Sequence, residues 1–191
     1  MRPHLESVDE ALFSQYLRRA AVYFEYGSGG STVFAHTFAN IRHIYSLESD
    51  ASWYRNVAQQ CADSARLTYF FQEMDTRERT WGAPGPDSTE QQRVAYSDAI
   101  YRVPAQERRQ IDLVMIDGRF RVASCLKCFD ALSDACAICF DDFLNRPCYH
   151  IVLQYFDIVE QANARMVVLK KKPGVTAVPP DLIRHYEQDP R

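Results

Sequence analysis

Three glycines fall within four positions, Gly27, Gly29 and Gly30, directly after the run Val22-Tyr23-Phe24-Glu25-Tyr26 and directly before Ser31 and Thr32. Glycine lets backbone approach a ligand closely, and the first turn of a helix offers unpaired N–H groups and a positive dipole end. That is chemistry for an anionic or nucleotide-like ligand. Glu48 follows Gly27 by 21 residues and ends the run His43-Ile44-Tyr45-Ser46-Leu47. A carboxylate at that spacing suits a ribose diol. Further acids stand after later apolar runs: Glu73 and Asp75, then Asp117 before Gly118-Arg119, then Asp141-Asp142. His150 lies four residues after Arg146, where a helix would present both toward the Asp141-Asp142 turn. A histidine there could take a proton from an acceptor hydroxyl.

The elements that must position these residues follow from periodicity. Ser7-Val8-Asp9-Glu10 reads as a capping box opening a helix over about 8–19. A strand over 21–26, the glycine turn, a helix over 31–39 and a strand over 43–48 come next. Asp50 is the expected N-cap of a helix carrying Trp53, Tyr54, Val57 and Cys61, and residues 65–71 read as a third strand. Residues 72–92, with Gly82, Pro84, Gly85 and Pro86, form a long irregular stretch of the kind used as a lid, with Trp81 as a platform or an anchor. A second capping box, Ser88-Thr89-Glu90-Gln91, opens a helix that ends near Pro104. Strands over 111–116, 136–141 and 164–170, helices over 120–132 and 147–162, and a terminal helix over 181–187 complete the chain. Alternating strands and helices predict a mostly parallel sheet with right-handed crossovers, and ligands bind beyond the carboxyl ends of such strands. That rule selects Glu25 to Ser31, Glu48, Glu73, Asp117 to Arg119, and Asp141-Asp142.

These residues also carry a resemblance. Glu25-Tyr26-Gly27-Ser28-Gly29-Gly30-Ser31 resembles motif I of the class I S-adenosylmethionine-dependent methyltransferases, and Tyr45-Ser46-Leu47-Glu48-Ser49-Asp50 resembles the acidic motif that follows it. The likeness continues at Ile116-Asp117-Gly118-Arg119 and Phe140-Asp141-Asp142, covers roughly residues 20 to 170, and is closest to small bacterial methyltransferase-like proteins of unsettled substrate. In this sequence Ser31 stands where the third glycine of G-x-G-x-G would be. The resemblance implies an α/β fold: a Rossmann-like, doubly wound, mostly parallel sheet of six or seven strands with helices on both faces. Residues 174–178 are the stretch left for a seventh, antiparallel strand. It implies S-adenosylmethionine as cofactor, held by Glu25, Gly27, Ser28, Gly29, Gly30, Ser31, Glu48, Glu73 and Asp117. It implies a catalytic end made of Asp117, Asp142, His150 and Arg119. In the cation-dependent O-methyltransferases, Asp117, Asp141 and the position of Asp142 (there Asn) would hold magnesium, so a divalent cation is one way to neutralise three converging acids. The other is a salt-bridge cluster with Arg119, Arg121 and Arg146.

Composition bounds the rest. At 191 residues the chain reads as one domain, 47% hydrophobic and 25% charged, with a formal charge of -3. That balance gives no electrostatic reason to expect nucleic acid, and a mouth lined by these carboxylates suits a small hydroxylated acceptor or a sugar unit of a glycan. No stretch is long enough for a membrane span and no secretory leader stands at the N-terminus, so a cytoplasmic location is expected. Cys125, Cys128, Cys136 and Cys139 have zinc-like spacing, but the first pair falls in a helix and the second in a strand, where residues three apart face opposite ways. Oligomeric state is not encoded in any motif. Two other functions share this pattern: a non-catalytic cofactor-binding or scaffold protein, and a nicotinamide oxidoreductase. None of the eleven tyrosines is followed four residues later by lysine, which removes the short-chain dehydrogenase pair.

Overall fold

The computed structural model describes residues 1–61, 65–76 and 80–191. Its centre is a seven-stranded sheet: β1 (Val22–Tyr26), β2 (His43–Glu48), β3 (Leu67–Phe71), β4 (Leu113–Ile116), β5 (Ala137–Phe140), β6 (Phe156–Gln161) and β7 (Val167–Lys171). The strand order is β3-β2-β1-β4-β5-β7-β6, and only β7 runs against the rest. The order reverses between β1 and β4, so the crevice of a doubly wound sheet opens there. The helices are α1 (Ser7–Leu17), α2 (Gly30–His36), α3 (Ala51–Gln60), α4 (Glu90–Ser97), α5 (Ala105–Arg108), α6 (Arg121–Ala131) and α7 (Pro180–Tyr186). Single 3-10 segments cover Asp98–Arg102 and Pro147–Gln154.

Strand alternation divides the core. Phe24, Tyr26, Val114, Ile116, Ile138 and Phe140 pack under α6 and its neighbours, while Tyr23, Leu113, Met115, Ala137 and Cys139 pack with Leu12, Phe13 and Leu17 of α1. Helices on both faces explain why β1, β4 and β5 are buried along their whole length and read as continuous apolar runs.

The structure differs from the sequence expectations at four places. The helix expected over 147–162 is a 3-10 segment followed by β6, which pairs with β7 around Asn163, a residue with φ +58°. The spacing of Ile151, Val152, Tyr155, Phe156 and Val159 suits a helix, but Ile158 and Val159 are β-branched and the ladder of β7 decides the matter. This hairpin supplies the strand expected at 174–178, which is irregular. The α1 capping box is absent: Glu6 is the N-cap and no side chain caps it. The second box is shifted by one residue, to Thr89 and Gln92. The four cysteines of the zinc-like pattern are buried free thiols, Cys139 on one face of the sheet and Cys125, Cys128 and Cys136 on the other.

Candidate functional site

A cavity of about 790 Å³ lies beyond the carboxyl ends of β1, β2, β4 and β5. Its floor begins with the glycine turn. Gly27 has φ +87°, and a Cβ there would lie 2.6 Å from Gly118 Cα, so the turns after β1 and β4 meet backbone to backbone. A Cβ on Gly30 would lie 1.8 Å from the Arg2 carbonyl oxygen, because residues 2 and 3 pack onto the first turn of α2. Ser28, Gly29 and Ser31 line the cavity as well.

Glu25 does not line it. Its carboxylate lies behind the turn and accepts from Tyr23 OH at 2.8 Å, Ser31 Oγ at 2.8 Å, Ser46 Oγ at 2.6 Å and also Thr32 Oγ1. Ser31, which replaces a glycine, therefore anchors α2 to β1 through Glu25. Burial raises the Glu25 carboxyl, against the pull of these four donors.

Glu48 lies on the cavity wall with its carboxylate partly engaged. Oε1 accepts from Ser49 N at 2.7 Å and Asp50 N at 2.9 Å, and Oε2 accepts from Ser28 Oγ at 2.9 Å. Burial pushes this carboxyl up to about 7. The Asp50 side chain caps α3 through Ser52 N and Trp53 N, which sets Trp53 beside the turn, its Nε1 donating to Ser28 O at 2.8 Å. Glu73, expected to join this group, is exposed and does not line the cavity. β3 ends on the far side of β2 and turns Glu73 to solvent. Asp75 instead accepts from Asp87 N at 3.0 Å and ties the irregular stretch to itself.

At the other end, Asp117, Asp141 and Asp142 converge as expected, with two of the three expected partners, Arg121 and Arg146, while Arg165 takes the place of Arg119. Arg121 reaches Asp117 Oδ1 and Asp142 Oδ2, each at 3.1 Å; Arg146 meets Asp142 Oδ2 at 2.7 Å; Arg165 Nε lies 3.1 Å from Asp141 Oδ1. The Arg165 contact is an ion pair without an aligned N–H, because Asp141 Oδ1 and Arg165 Nε lack a hydrogen bond. Arg119 takes no part: it donates to the carbonyls of Thr80 and Trp81 at 2.7 to 3.0 Å. Burial, then Asp117 and Asp142, push Asp141 up to about 8. Burial also raises Asp117, opposed first by Arg121. With three guanidinium groups on these carboxylates, the cluster does not fit a divalent cation, and no metal-holding group occurs among the described residues. His150 does not line the cavity; its ring packs on Phe143 and its Nε2 lies 3.0 Å from Phe143 O. The 3-10 geometry of Pro147–Gln154 replaces the helix that would have turned it toward Asp141-Asp142.

The roof comes from two segments. Residues 1–5 cross the glycine turn, and residues 81 and 82 close from the other side. They meet where the His4 and Trp81 rings stand 5.2 Å apart. Arg165 donates to His4 O, and Arg119 holds the carbonyl of Trp81. Part of the expected lid, Arg77 to Arg79, lies outside the described residues. Trp53, Arg165 and the residue 1–5 roof were not singled out as site residues from sequence. Only the cap at Asp50 hinted at Trp53; Arg165 precedes a strand with no motif around it.

No family profile and no curated protein matches the sequence. Solved structures do. The chain is similar to a methyltransferase-like protein from Silicibacter pomeroyi, with 25% identity, 99% of each chain covered and a TM-score of 0.84. The fold is that of the class I S-adenosylmethionine-dependent methyltransferases. It is shared with a candidate caffeoyl-CoA O-methyltransferase from Staphylococcus aureus (12% identity, 90% and 86% covered, TM-score 0.58) and the tRNA (m1A58) methyltransferase TrmI from Aquifex aeolicus (12%, 92% and 73%, 0.56). The likeness at 25% identity supports an S-adenosylmethionine-dependent methyltransferase, and the two at 12% show the fold alone. The residues fit the cofactor of this fold. Gly27 to Ser31 line the cavity beside Glu48, whose Oε2 has one donor and room for another. No helix among the described residues is long and apolar enough to cross a membrane.

Proposed function

We propose that the protein transfers the methyl group of S-adenosylmethionine to an oxygen of a small hydroxylated molecule or a sugar unit. The observation that carries this reading is the meeting, in one cavity, of the glycine turn, the buried Glu48 carboxylate and the acid–arginine cluster. When bound, the cofactor supplies an activated methyl group. Gly27 to Ser31 and Glu48 are the residues to hold it, Glu48 as acceptor for the ribose hydroxyls. Trp53 borders the same end and offers an apolar wall.

The chain's own contribution at the other end is orientation and proton handling. An oxygen acceptor needs its proton removed or its charge offset. Asp117 suits proton removal, because its side chain is 30% exposed, against 3% for Asp141 and 10% for Asp142. Arg121 steadies its carboxylate, since the guanidinium charge opposes the rise that burial causes. Asp142, bound by three arginines, orients that group rather than facing the acceptor. The roof of residues 1–5, 81 and 82 keeps water from the reacting centre.

Calorimetry tests the cofactor. S-adenosylmethionine and S-adenosylhomocysteine should each bind, and Glu48→Ala should weaken both. Tight binding of NAD, with no heat from either of those ligands, would overturn the reading.

A further inference from the structure

Arg119 stands out among the cations beside the acid cluster. Arg121, Arg146 and Arg165 each touch a carboxylate. Arg119, half-buried on the cavity wall, has no carboxylate partner among the described residues. Its Nε and one Nη serve two loop carbonyls, and its other Nη carries no hydrogen bond among those residues. Carbonyl dipoles only partly offset a guanidinium. Burial, followed by the nearby charge of Arg121, pulls its pKa below the ordinary arginine value. Beside the acid cluster, Arg121, Arg146 and Arg165 pair with Asp117, Asp141 and Asp142, and Arg119 stands outside these pairs, a local positive surplus; Arg2, Glu48 and Asp50 line the cavity as well. Arg146, 42% exposed, lies on the same wall. A cationic surplus with spare donors on a partly desolvated wall is a receptor for an oxyanion.

We infer that the methyl acceptor is a small molecule carrying an oxyanion, a carboxylate or a phosphate, which docks on Arg119 with Arg146 beside it. This rests on the methyltransferase reading and narrows its substrate class. The charge is confined to a roofed cavity in a chain of net charge -3, which favours a small anion over a nucleic-acid backbone.

The test uses the full chain saturated with S-adenosylhomocysteine at constant ionic strength. Benzoate, inorganic phosphate, benzamide and a short oligouridylate are titrated in turn, following the Arg119 backbone and Nε–H signals by NMR. Benzoate or phosphate should shift them saturably, the better of the two naming the oxyanion, and benzamide should not. Arg119→Gln should weaken anion binding about tenfold, as loss of one charge-assisted contact implies, and Arg119→Lys should recover part of it. Arg146→Gln should weaken it too, and serves if Arg119→Gln does not fold. Trp81→Ala, which alters the loop and keeps the guanidinium, should leave the preference for benzoate over benzamide intact. Equal binding of benzamide, tighter binding of the oligonucleotide, or anion binding untouched in both arginine variants overturns the inference. S-adenosylhomocysteine bound with no anion response overturns it alone; no S-adenosylhomocysteine binding removes it together with the cofactor reading.

Discussion

Glu48→Gln should stabilise the ligand-free protein above neutral pH while weakening the cofactor. Burial raises the Glu48 carboxyl from an ordinary 4.5 to about 7. The unfolded chain therefore binds fewer protons than the folded one between those values, and stability falls as pH rises through that window. Below pH 4.5 the carboxyl is neutral in both states and costs nothing; above about 7 the full cost is present. The gap is worth on the order of 3 kcal/mol. An amide of the same shape removes it. Oε1 can still accept from Ser49 N and Asp50 N, and the new NH₂ can donate to Ser28 Oγ if that hydroxyl turns its proton to Tyr69 OH, 2.5 Å away. For a chain of this size the melting temperature at pH 8.5 should rise by roughly 6 to 12 °C over wild type, with the difference closing by pH 4.5. Scanning fluorimetry across pH reads the first effect, and calorimetry with S-adenosylhomocysteine reads the loss of binding. A variant equally destabilised at pH 4.5 and 8.5 would refute the reasoning, because the charge would then not be the strained element.

Gly27→Ala should cost about 2–5 kcal/mol, since its φ of +87° strains an L-residue and the methyl would meet Gly118 Cα; denaturant unfolding checks it. Arg121→Ala should cost about 3–5 kcal/mol by leaving Asp117 without its ion-pair partner, while Asp142 keeps Arg146 and Arg165, and Asp117→Asn added to it should recover part of the loss in a double-mutant cycle. Trp81→Ala should speed hydrogen exchange at residues 80–82 and leave β1 unchanged, and S-adenosylhomocysteine should slow it in wild type. Methyl transfer should survive excess chelator, because guanidinium groups already occupy the carboxylates; loss of turnover with an unchanged melting temperature would restore the magnesium alternative.

The sequence by itself determined the doubly wound sheet and the two motifs at its switch point. Alternating apolar runs and helical spacings are local signals, and β1, β2 and their glycine turn belong to a βαβ unit whose geometry depends on few distant contacts. Gly27 and Glu48 were legible for that reason. What only the tertiary structure decided depends on residues far apart in the chain. Glu25 was placed by strand end at the ligand, but alternation turns it to the α2 face, where Ser31, Thr32 and Ser46 surround it. Residues 156–161 have helical spacing and became a strand because β7 offered a ladder. The arginines beside the acids in sequence were the natural partners, yet Arg119 points to the loop and Arg165, more than twenty residues beyond Asp142, supplies the missing charge. Side-chain pairing across strand ends follows proximity in space. No spacing in a single chain encodes it until β7 folds back against β5 and brings Arg165 to the cavity.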